Sequence, residues 1–225
     1  MAPLTIRHPE SLSPKSTALL SELASFDWAT ETYLAGSAAL ALYLGHRPVR
    51  DLDLMSPVLR LRAVDRRDIL QDLLSVDHAC RVETARDGFL YARMSGEVAL
   101  RLFYYPYPQV DSETEHQGLT VASPLDLGLM KLGAIISRGT CRDFVDLYLL
   151  CQHLPLAELL EASAHKFGHV RDFPIQALKG LSDFSQTTGE PMPLLSRPID
   201  WEDVVAWARE QVETLGRERI GLELP

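Results

Sequence analysis

The stretch that decides the fold is LAGSAALALYLGHRPVRDLDLMS, which runs from Leu34 to Ser56. Gly36 and Ser37 form a turn ahead of a short predicted helix, and a predicted strand carrying Asp51 and Asp53 follows. Because successive side chains of a strand point to opposite faces, the two aspartates project from the same side. Two neighbouring carboxylates suit Mg²⁺, which completes its shell with waters and substrate phosphates. The stretch therefore favours a nucleoside triphosphate as ligand and phosphoryl or nucleotidyl transfer as reaction.

The Gly-Ser turn has two interpretations. Ser37 ahead of a helix is commonly just a cap for the free backbone amides. Next to the aspartate pair, however, Gly36 would allow close backbone approach, and Ser37 with the first helical amides would bind a phosphate. We therefore predict that Gly36 and Ser37 bind the nucleotide.

A second informative segment, SPLDLGLMKLGAIISRGTCRDFVDLYLL, starts at Ser123. Lys131 lies within an apolar helical stretch, where an ammonium either reaches solvent along its own stem or serves a ligand. Arg138, seven residues later, lies on roughly the same helical face. Asp143 and Asp146 are three residues apart and so share a face of the next helix. Acidic residues in a first helical turn also complement the helix dipole, which is the simpler explanation of this pair.

Together the two segments resemble the AbiEii/AbiGii-type toxin branch of the DNA polymerase beta-like nucleotidyltransferases. The likeness rests on Gly-Ser, thirteen residues, then Asp-Leu-Asp-Leu, followed by the helical lysine and the Arg-Asp-x-x-Asp-Leu block. The resemblance implies a mixed α/β (α+β) sheet flanked by helices and followed by a helical C-terminal half. It also implies transfer of a nucleoside monophosphate from a triphosphate to a hydroxyl.

The resemblance further implies roles for individual residues. Asp51 and Asp53 would be catalytic ligands of Mg²⁺, and Lys131 would contact the leaving phosphates. Because Arg138 shares the helical face of Lys131, the two cations together would suit a triphosphate. Asp143 would be a general base or would orient Lys131, and Asp146 is a lesser candidate for nucleotide binding. The implied setting is a toxin-antitoxin or phage-defence system, with a tRNA 3′ end as acceptor and an antitoxin protein as partner.

One departure from the resembled pattern leaves alternatives open. Many such enzymes carry a third carboxylate on a later strand, but the corresponding stretch here reads EVALRLFYYPYP. Only Glu97 at its beginning could substitute, and Glu97 is equally explained as surface charge. The chain could therefore be a catalytically degraded member that binds a nucleotide or a protein. Transfer to a protein or to a small molecule is a further alternative.

Composition narrows the possible partners. The chain has 225 residues, 46% of them hydrophobic, and a formal net charge of -9. This negative charge argues against a protein that binds nucleic acid non-specifically over its whole surface, so contact with RNA requires a local patch of Lys or Arg. Six arginines near the aspartate pair either form such a patch or line a solvated helix face. They are Arg47, Arg50, Arg60, Arg62, Arg66 and Arg67.

Three widely spaced cysteines predict neither disulfides nor a zinc site, which fits a cytoplasmic protein. We expect no signal peptide and no membrane partner, because no apolar run is long enough.

Hydrophobic periodicity predicts the order of the elements and a boundary near Ser123. We predict a nucleotidyltransferase core over residues 1–122 and a helical region over 123–225. The predicted helices are Pro14–Trp28, Ser37–Leu44, Leu61–Leu74, Leu125–Arg138, Arg142–Cys151, Leu156–Lys166, Pro174–Phe184 and Trp201–Leu215. The predicted strands are Tyr33–Ala35, Arg50–Met55, Ala79–Thr84, Phe89–Met94 and Glu97–Tyr104, with a possible edge strand at Gln117–Ala122.

Overall fold

The chain forms a mixed sheet followed by a set of helices. The computed structural model describes residues 4–95 and 98–220, without the side chains of 218–220. Within that part of the chain the strands are β1 (Tyr33–Ala35), β2 (Leu52–Ser56), β3 (Arg81–Arg86), β4 (Phe89–Arg93), β5 (Ala99–Tyr104), β6 (Thr114–His116) and β7 (Leu119–Val121). The α-helices are α1 (Pro14–Leu23), α2 (Gly36–Leu44), α3 (Ala63–Val76), α4 (Pro124–Ser137), α5 (Cys141–Cys151), α6 (Leu156–Phe167), α7 (Phe173–Ser182) and α8 (Trp201–Ile220).

The sheet has the strand order β3-β4-β5-β2-β1-β7-β6. β2 runs parallel to β5, and β1 runs parallel to β7, whereas the other neighbours are antiparallel. Burial alternates along β2, where Leu52 and Leu54 are buried while Asp53 and Met55 are half-exposed. One face of the sheet therefore belongs to the core, and the other carries Asp53.

Local sequence explains how the elements around the aspartates begin and end. Gly36 has φ +62 at the start of α2, and Gly45 has φ +61 at its end. Both dihedrals lie in the left-handed region, which glycine adopts without steric cost. The two glycines thus let the chain turn from β1 into α2 and then out toward β2.

The chain divides into two compact units, one of them Thr5–Ser123 and the other beginning at Pro124. In the second unit α4 packs against α5, α6 and α7, and α8 packs against α5 and α7. A fully buried ion pair joins α6 to α4, with the Lys166 ammonium 2.7 Å from the Asp126 carboxylate. That residues 1–122 and 123–225 act as separate domains stays a prediction.

The predicted fold class is confirmed, with a mixed sheet, flanking helices and a helical C-terminal half. Four element predictions were wrong in detail, one of them the last helix, which extends to Ile220 instead of Leu215. The first helix ends at Leu23, and a 3₁₀ helix occupies Asp27–Glu31 instead. The strand predicted at Ala79–Thr84 lies at Arg81–Arg86. The predicted edge strand Gln117–Ala122 covers only β7 and the turn before it, and β6, which was not predicted, is the edge strand.

Two further expectations from the sequence concern Glu97 and membrane-spanning helices. Glu97, the substitute for the missing carboxylate, lies outside the described residues. Across the parts of the chain that the structure describes, none of the helices combines the length and apolar character needed to cross a membrane.

Candidate active site

Gly36 lies directly against the Asp53 carboxylate. Antiparallel pairing of β1 with β2 places Ala35 opposite Asp53, so the residue after Ala35 reaches that carboxylate. A Cβ atom added at Gly36 would lie 2.4 Å from Asp53 Oδ2, closer than any real contact. Glycine at position 36 is therefore needed both for its dihedral angle and for the space that Asp53 occupies. Ser37 follows in the first turn of α2 and is half-exposed.

Asp51 and Asp53 share one cationic partner, Arg101. The Arg101 Nε lies 2.6 Å from Asp53 Oδ1, and Nη2 lies 3.4 Å from Asp51 Oδ2. Both carboxylates therefore come within reach of one guanidinium, as expected for residues that share a face. Their side chains are 47% and 21% exposed, respectively, so a ligand can approach them.

Arg101 occupies the strand where the resembled enzymes carry the third carboxylate. In the parallel pairing of β2 with β5, Arg101 is the register partner of Asp53. The side chain beside Asp53 on this strand is therefore the Arg101 guanidinium and not a third carboxylate. Sequence reasoning noted Arg101 in this stretch but gave it no role, and the alternation of β5 was the signal that could have found it.

The described residues contain no group of three or more His, Cys, Asp or Glu side chains able to hold a metal ion. Two carboxylates are nevertheless a sufficient protein contribution for Mg²⁺, which commonly takes its remaining ligands from water and phosphates. Asp51 and Asp53 fit this role by their chemistry and exposure. The Arg101 guanidinium currently holds both, so it would have to yield at least one of them.

The second group of predicted residues lies in the helical unit, around Lys131 of α4. The Lys131 ammonium lies 2.7 Å from Asp146 Oδ2 and 3.2 Å from Asp143 Oδ1, both on α5. All three side chains are almost completely buried. Burial by itself would lower the pKa of Lys131, but the charges of Asp146 and Asp143 and their hydrogen bonds raise it above its usual value. The lysine is therefore held as an ammonium.

Asp143 is the centre of this group. Arg138 donates from Nε to Asp143 Oδ2 at 2.8 Å and from Nη2 to Oδ1 at 2.9 Å. The Thr140 hydroxyl also donates to Oδ2, at 2.7 Å. Burial acts to raise the pKa of Asp143, but the hydrogen bond from Arg138, the charge of Lys131 and the Thr140 hydroxyl lower it to about 2. A carboxylate this acidic is a weak proton acceptor at neutral pH.

The structure thus brings the predicted residues together in two sets. Gly36, Asp51 and Asp53 lie together in the sheet unit, and Lys131, Arg138, Asp143 and Asp146 lie together in the helical unit. That both sets face one cleft stays a prediction. Arg101 and Thr140 are the contacts that sequence reasoning missed.

A family model described as "Nucleotidyl transferase AbiEii toxin, Type IV TA system" matches residues 18–206. This match includes both sets of residues. The chain belongs to the AbiEii toxin family. The AbiEii family is one of nucleotidyltransferases, so this chain is a nucleotidyltransferase.

Known relatives of this AbiEii protein agree in length and in fold. An uncharacterised protein of Aquifex aeolicus is 25% identical over 206 residues, which are 90% of this chain and 96% of that one. The crystal structure of a candidate nucleotidyltransferase from Helicobacter pylori matches with a TM-score of 0.55 at 18% identity, over 95% of this chain and all of that one. The nucleotidyltransferase toxin MenT4 from Mycobacterium tuberculosis matches with a TM-score of 0.52 at 15% identity, over 88% and 84% of the two chains. These two structures share the fold.

Proposed function

We propose that this AbiEii protein is a Mg²⁺-dependent toxin that transfers a nucleoside monophosphate from a triphosphate onto the 3′ hydroxyl of a tRNA. The observation that carries the proposal is the accessible Asp51–Asp53 pair beside Gly36, within the region that matches the family. Such a pair next to a glycine turn suits a polyanion bound through a divalent ion. MenT4, which shares the fold, is itself described as a nucleotidyltransferase toxin.

The reaction joins the acceptor oxygen to the α-phosphorus and breaks the bond between that phosphorus and the bridging oxygen of pyrophosphate. The hydroxyl proton passes to solvent or to a base, and pyrophosphate departs with the electron pair of the broken bond. In-line placement of the two oxygens and neutralisation of phosphate charge are the main requirements. Bound Mg²⁺ would supply that neutralisation at Asp51 and Asp53.

The residues of the sheet unit would bind and place the nucleotide. Gly36 lets the Asp53 carboxylate lie against the start of α2, and Ser37 with the first amides of α2 would donate hydrogen bonds to a phosphate there. Arg101 would move from the carboxylates to the phosphates, where a guanidinium binds strongly.

The helical unit would supply two further cationic side chains to the nucleotide, those of Lys131 and Arg138. Lys131 would contact the leaving phosphates. Because its side chain is 8% exposed and held by Asp143 and Asp146, its ammonium would have to leave at least one of them. With a pKa of about 2, Asp143 suits the role of orienting Lys131 better than that of general base. Arg138, which is 63% exposed at its side chain, would bind the nucleotide from the same group.

The test is transfer of label from each of the four nucleoside [α-³²P]triphosphates to a total tRNA pool and, separately, to a protein pool. We expect label on tRNA only, loss of label after chelation of Mg²⁺, and loss in Asp51→Asn. The matched control is Asp68→Asn, an exposed carboxylate on α3, which should transfer as the unaltered chain does. Label on protein, or transfer that survives chelation and Asp51→Asn, would contradict the proposal.

The family also supports an antitoxin partner, because its model describes toxin-antitoxin systems. We propose a cognate antitoxin protein encoded by the neighbouring reading frame, with both proteins acting in the cytoplasm where tRNA is found. Co-expression should then relieve growth arrest by the toxin, and arrest that persists with the neighbouring product would contradict this partner.

A further inference from the structure

The half-exposed face of the sheet carries a strip of aromatic and cationic side chains that the transfer chemistry above does not use. Register pairing aligns Asp53 of β2 with Arg101 of β5 and Tyr91 of β4. The next row aligns Met55, Phe103, Phe89 and Arg86 across β2, β5, β4 and β3. The strip therefore starts at the proposed catalytic carboxylate and extends across three further strands to the edge of the sheet.

The side chains of this strip contact one another. The rings of Phe89 and Phe103 have centroids 4.9 Å apart at an angle of 44°. The guanidinium of Arg86 lies 5.4 Å from the Phe89 ring centroid, and that of Arg93 lies 5.6 Å from the Tyr91 ring centroid. We define these five residues, Arg86, Phe89, Tyr91, Arg93 and Phe103, as the aromatic platform.

The aromatic platform is not part of the core. Its three rings are half-buried, whereas Leu54 and Leu102 on the opposite face of the same strands are at most 1% exposed. Large aromatic rings left accessible on one sheet face are typical of a binding surface. The Arg93 guanidinium also lies 3.1 Å from the Glu83 carboxylate, so the exposed Arg86 is the stronger source of positive charge beside the rings.

We infer that the aromatic platform binds the unpaired bases of a single-stranded RNA end, whose 3′ hydroxyl is the acceptor. This inference rests on the proposed function, because it places the acceptor of that reaction. Unpaired bases stack on aromatic rings and on guanidinium planes, and arginines pair with the phosphates between them. A flat sheet face suits splayed bases, whereas the bases of a duplex are already stacked on one another.

Position favours the RNA end over a protein partner. Neighbouring strands lie about 4.8 Å apart, so the Tyr91 backbone is about 10 Å from that of Asp53. A terminal hydroxyl beside Asp53 would therefore leave the preceding bases over Tyr91, Phe103 and Phe89. The net charge of the chain is -9, so local arginines beside the rings are what the phosphates require.

The test is binding of a fluorescein-labelled single-stranded RNA of about twelve nucleotides, measured by fluorescence anisotropy on the full chain. Phe89→Leu and Phe103→Leu each remove one stacking surface and keep an apolar side chain. We expect each to raise the Kd for RNA at least about fivefold and Arg86→Gln to raise it less, with affinity falling as salt rises. The same RNA annealed to its complement should bind at least about tenfold more weakly than the single strand.

Matched controls separate this effect from misfolding. Phe26→Leu changes an aromatic residue outside the platform, and Arg171→Gln removes an exposed arginine ahead of α7, so neither should change the Kd for RNA. Thermal unfolding shows whether each variant folds, and exposed Arg86 provides a platform variant with little effect on the core. An unchanged Kd for RNA in folded Phe89→Leu, Phe103→Leu and Arg86→Gln would overturn the inference, as would equal binding of the duplex.

Failure of this inference is distinguishable from failure of the proposed function. Loss of RNA binding in the platform variants supports the platform even if Asp51→Asn still transfers label. Transfer to tRNA that depends on Asp51, with KM for tRNA unchanged in Phe103→Leu, would support the enzyme and overturn the platform. Weakened binding of a protein acceptor instead of RNA would assign the surface to a protein and overturn the platform as well.

Discussion

The two acidic pairs of this molecule have opposite environments. Asp51 and Asp53 in the sheet unit are accessible, and both contact the Arg101 guanidinium. Asp143 and Asp146 in the helical unit are at most 1% exposed and hold the buried Lys131 ammonium. Accessible carboxylates can still exchange a protein cation for a ligand, whereas buried ones depend on their matched cations, since losing a cation leaves an uncompensated buried charge. Exposure thus separates the pair suited to binding from the pair suited to positioning.

The largest expected effect concerns stability and Lys131. Lys131→Met leaves two buried carboxylates without their ammonium, which should lower the free energy of unfolding by about 3–5 kcal/mol. Urea denaturation followed by circular dichroism measures this change. Lys179→Met, at an exposed position of α7, is the matched control and should change stability by less than about 0.5 kcal/mol. Equal small effects in both variants would remove the contrast between the two acidic pairs.

The second prediction concerns catalysis and Asp53. Asp53→Asn removes a charge on which the nucleotide site depends, so transfer should fall about 10²- to 10³-fold. Its accessible ion pair with Arg101 contributes little to folding, and the free energy of unfolding should fall by at most about 1 kcal/mol. Label transfer and urea denaturation measure the two quantities on one preparation. If Asp53→Asn strongly destabilised the fold but still transferred label, Asp53 would have a structural role, which contradicts its assignment to nucleotide binding.

The third prediction is a pH dependence from Asp143. Its pKa is lowered from 3.8 to about 2 in the folded chain, so the ionised carboxylate stabilises the fold above the unfolded value. This contribution, about 2 kcal/mol, should be lost as the pH falls from about 4 to about 2. Denaturation across that range should show a correspondingly smaller loss in Asp143→Asn than in the unaltered chain. An identical loss in both would show that another group governs acid sensitivity.

The smallest expected effect compares two glycines with left-handed dihedrals. Gly36→Ala and Gly189→Ala each place a side chain at positive φ, and this backbone effect alone should cost about 1 kcal/mol of stability in both. Only at Gly36 does the new Cβ meet Asp53, while nothing lies within 4 Å at Gly189. Gly36→Ala should therefore lower transfer at least about tenfold, because it displaces a catalytic carboxylate, and Gly189→Ala should not. Equal transfer by both variants would show that Asp53 tolerates the displacement.

Periodicity and glycine placement predicted the elements that carry the candidate residues. The Gly36 turn and the apolar alternation around Asp53 predicted β1, α2 and β2. The apolar faces of the two helices predicted α4 and α5. β3 was misplaced because each of its residues is exposed, so it has no apolar alternation to detect. α1 was predicted too long because Trp28 continues the helical period, although its indole donates to Asp72 from a 3₁₀ helix instead.

By itself the sequence determined the family, the Gly36-Ser37 turn, the pair Asp51 and Asp53, and the helical Lys131. Each depends on short spacings, on backbone dihedrals or on a local period, all of which can be read along the chain. Only the tertiary structure decided which cation meets which acid. Arg101 meets Asp53 because β5 pairs with β2 in parallel register across 48 residues of chain. Such pairing joins residues far apart in sequence, so no local spacing or period along the chain reveals it.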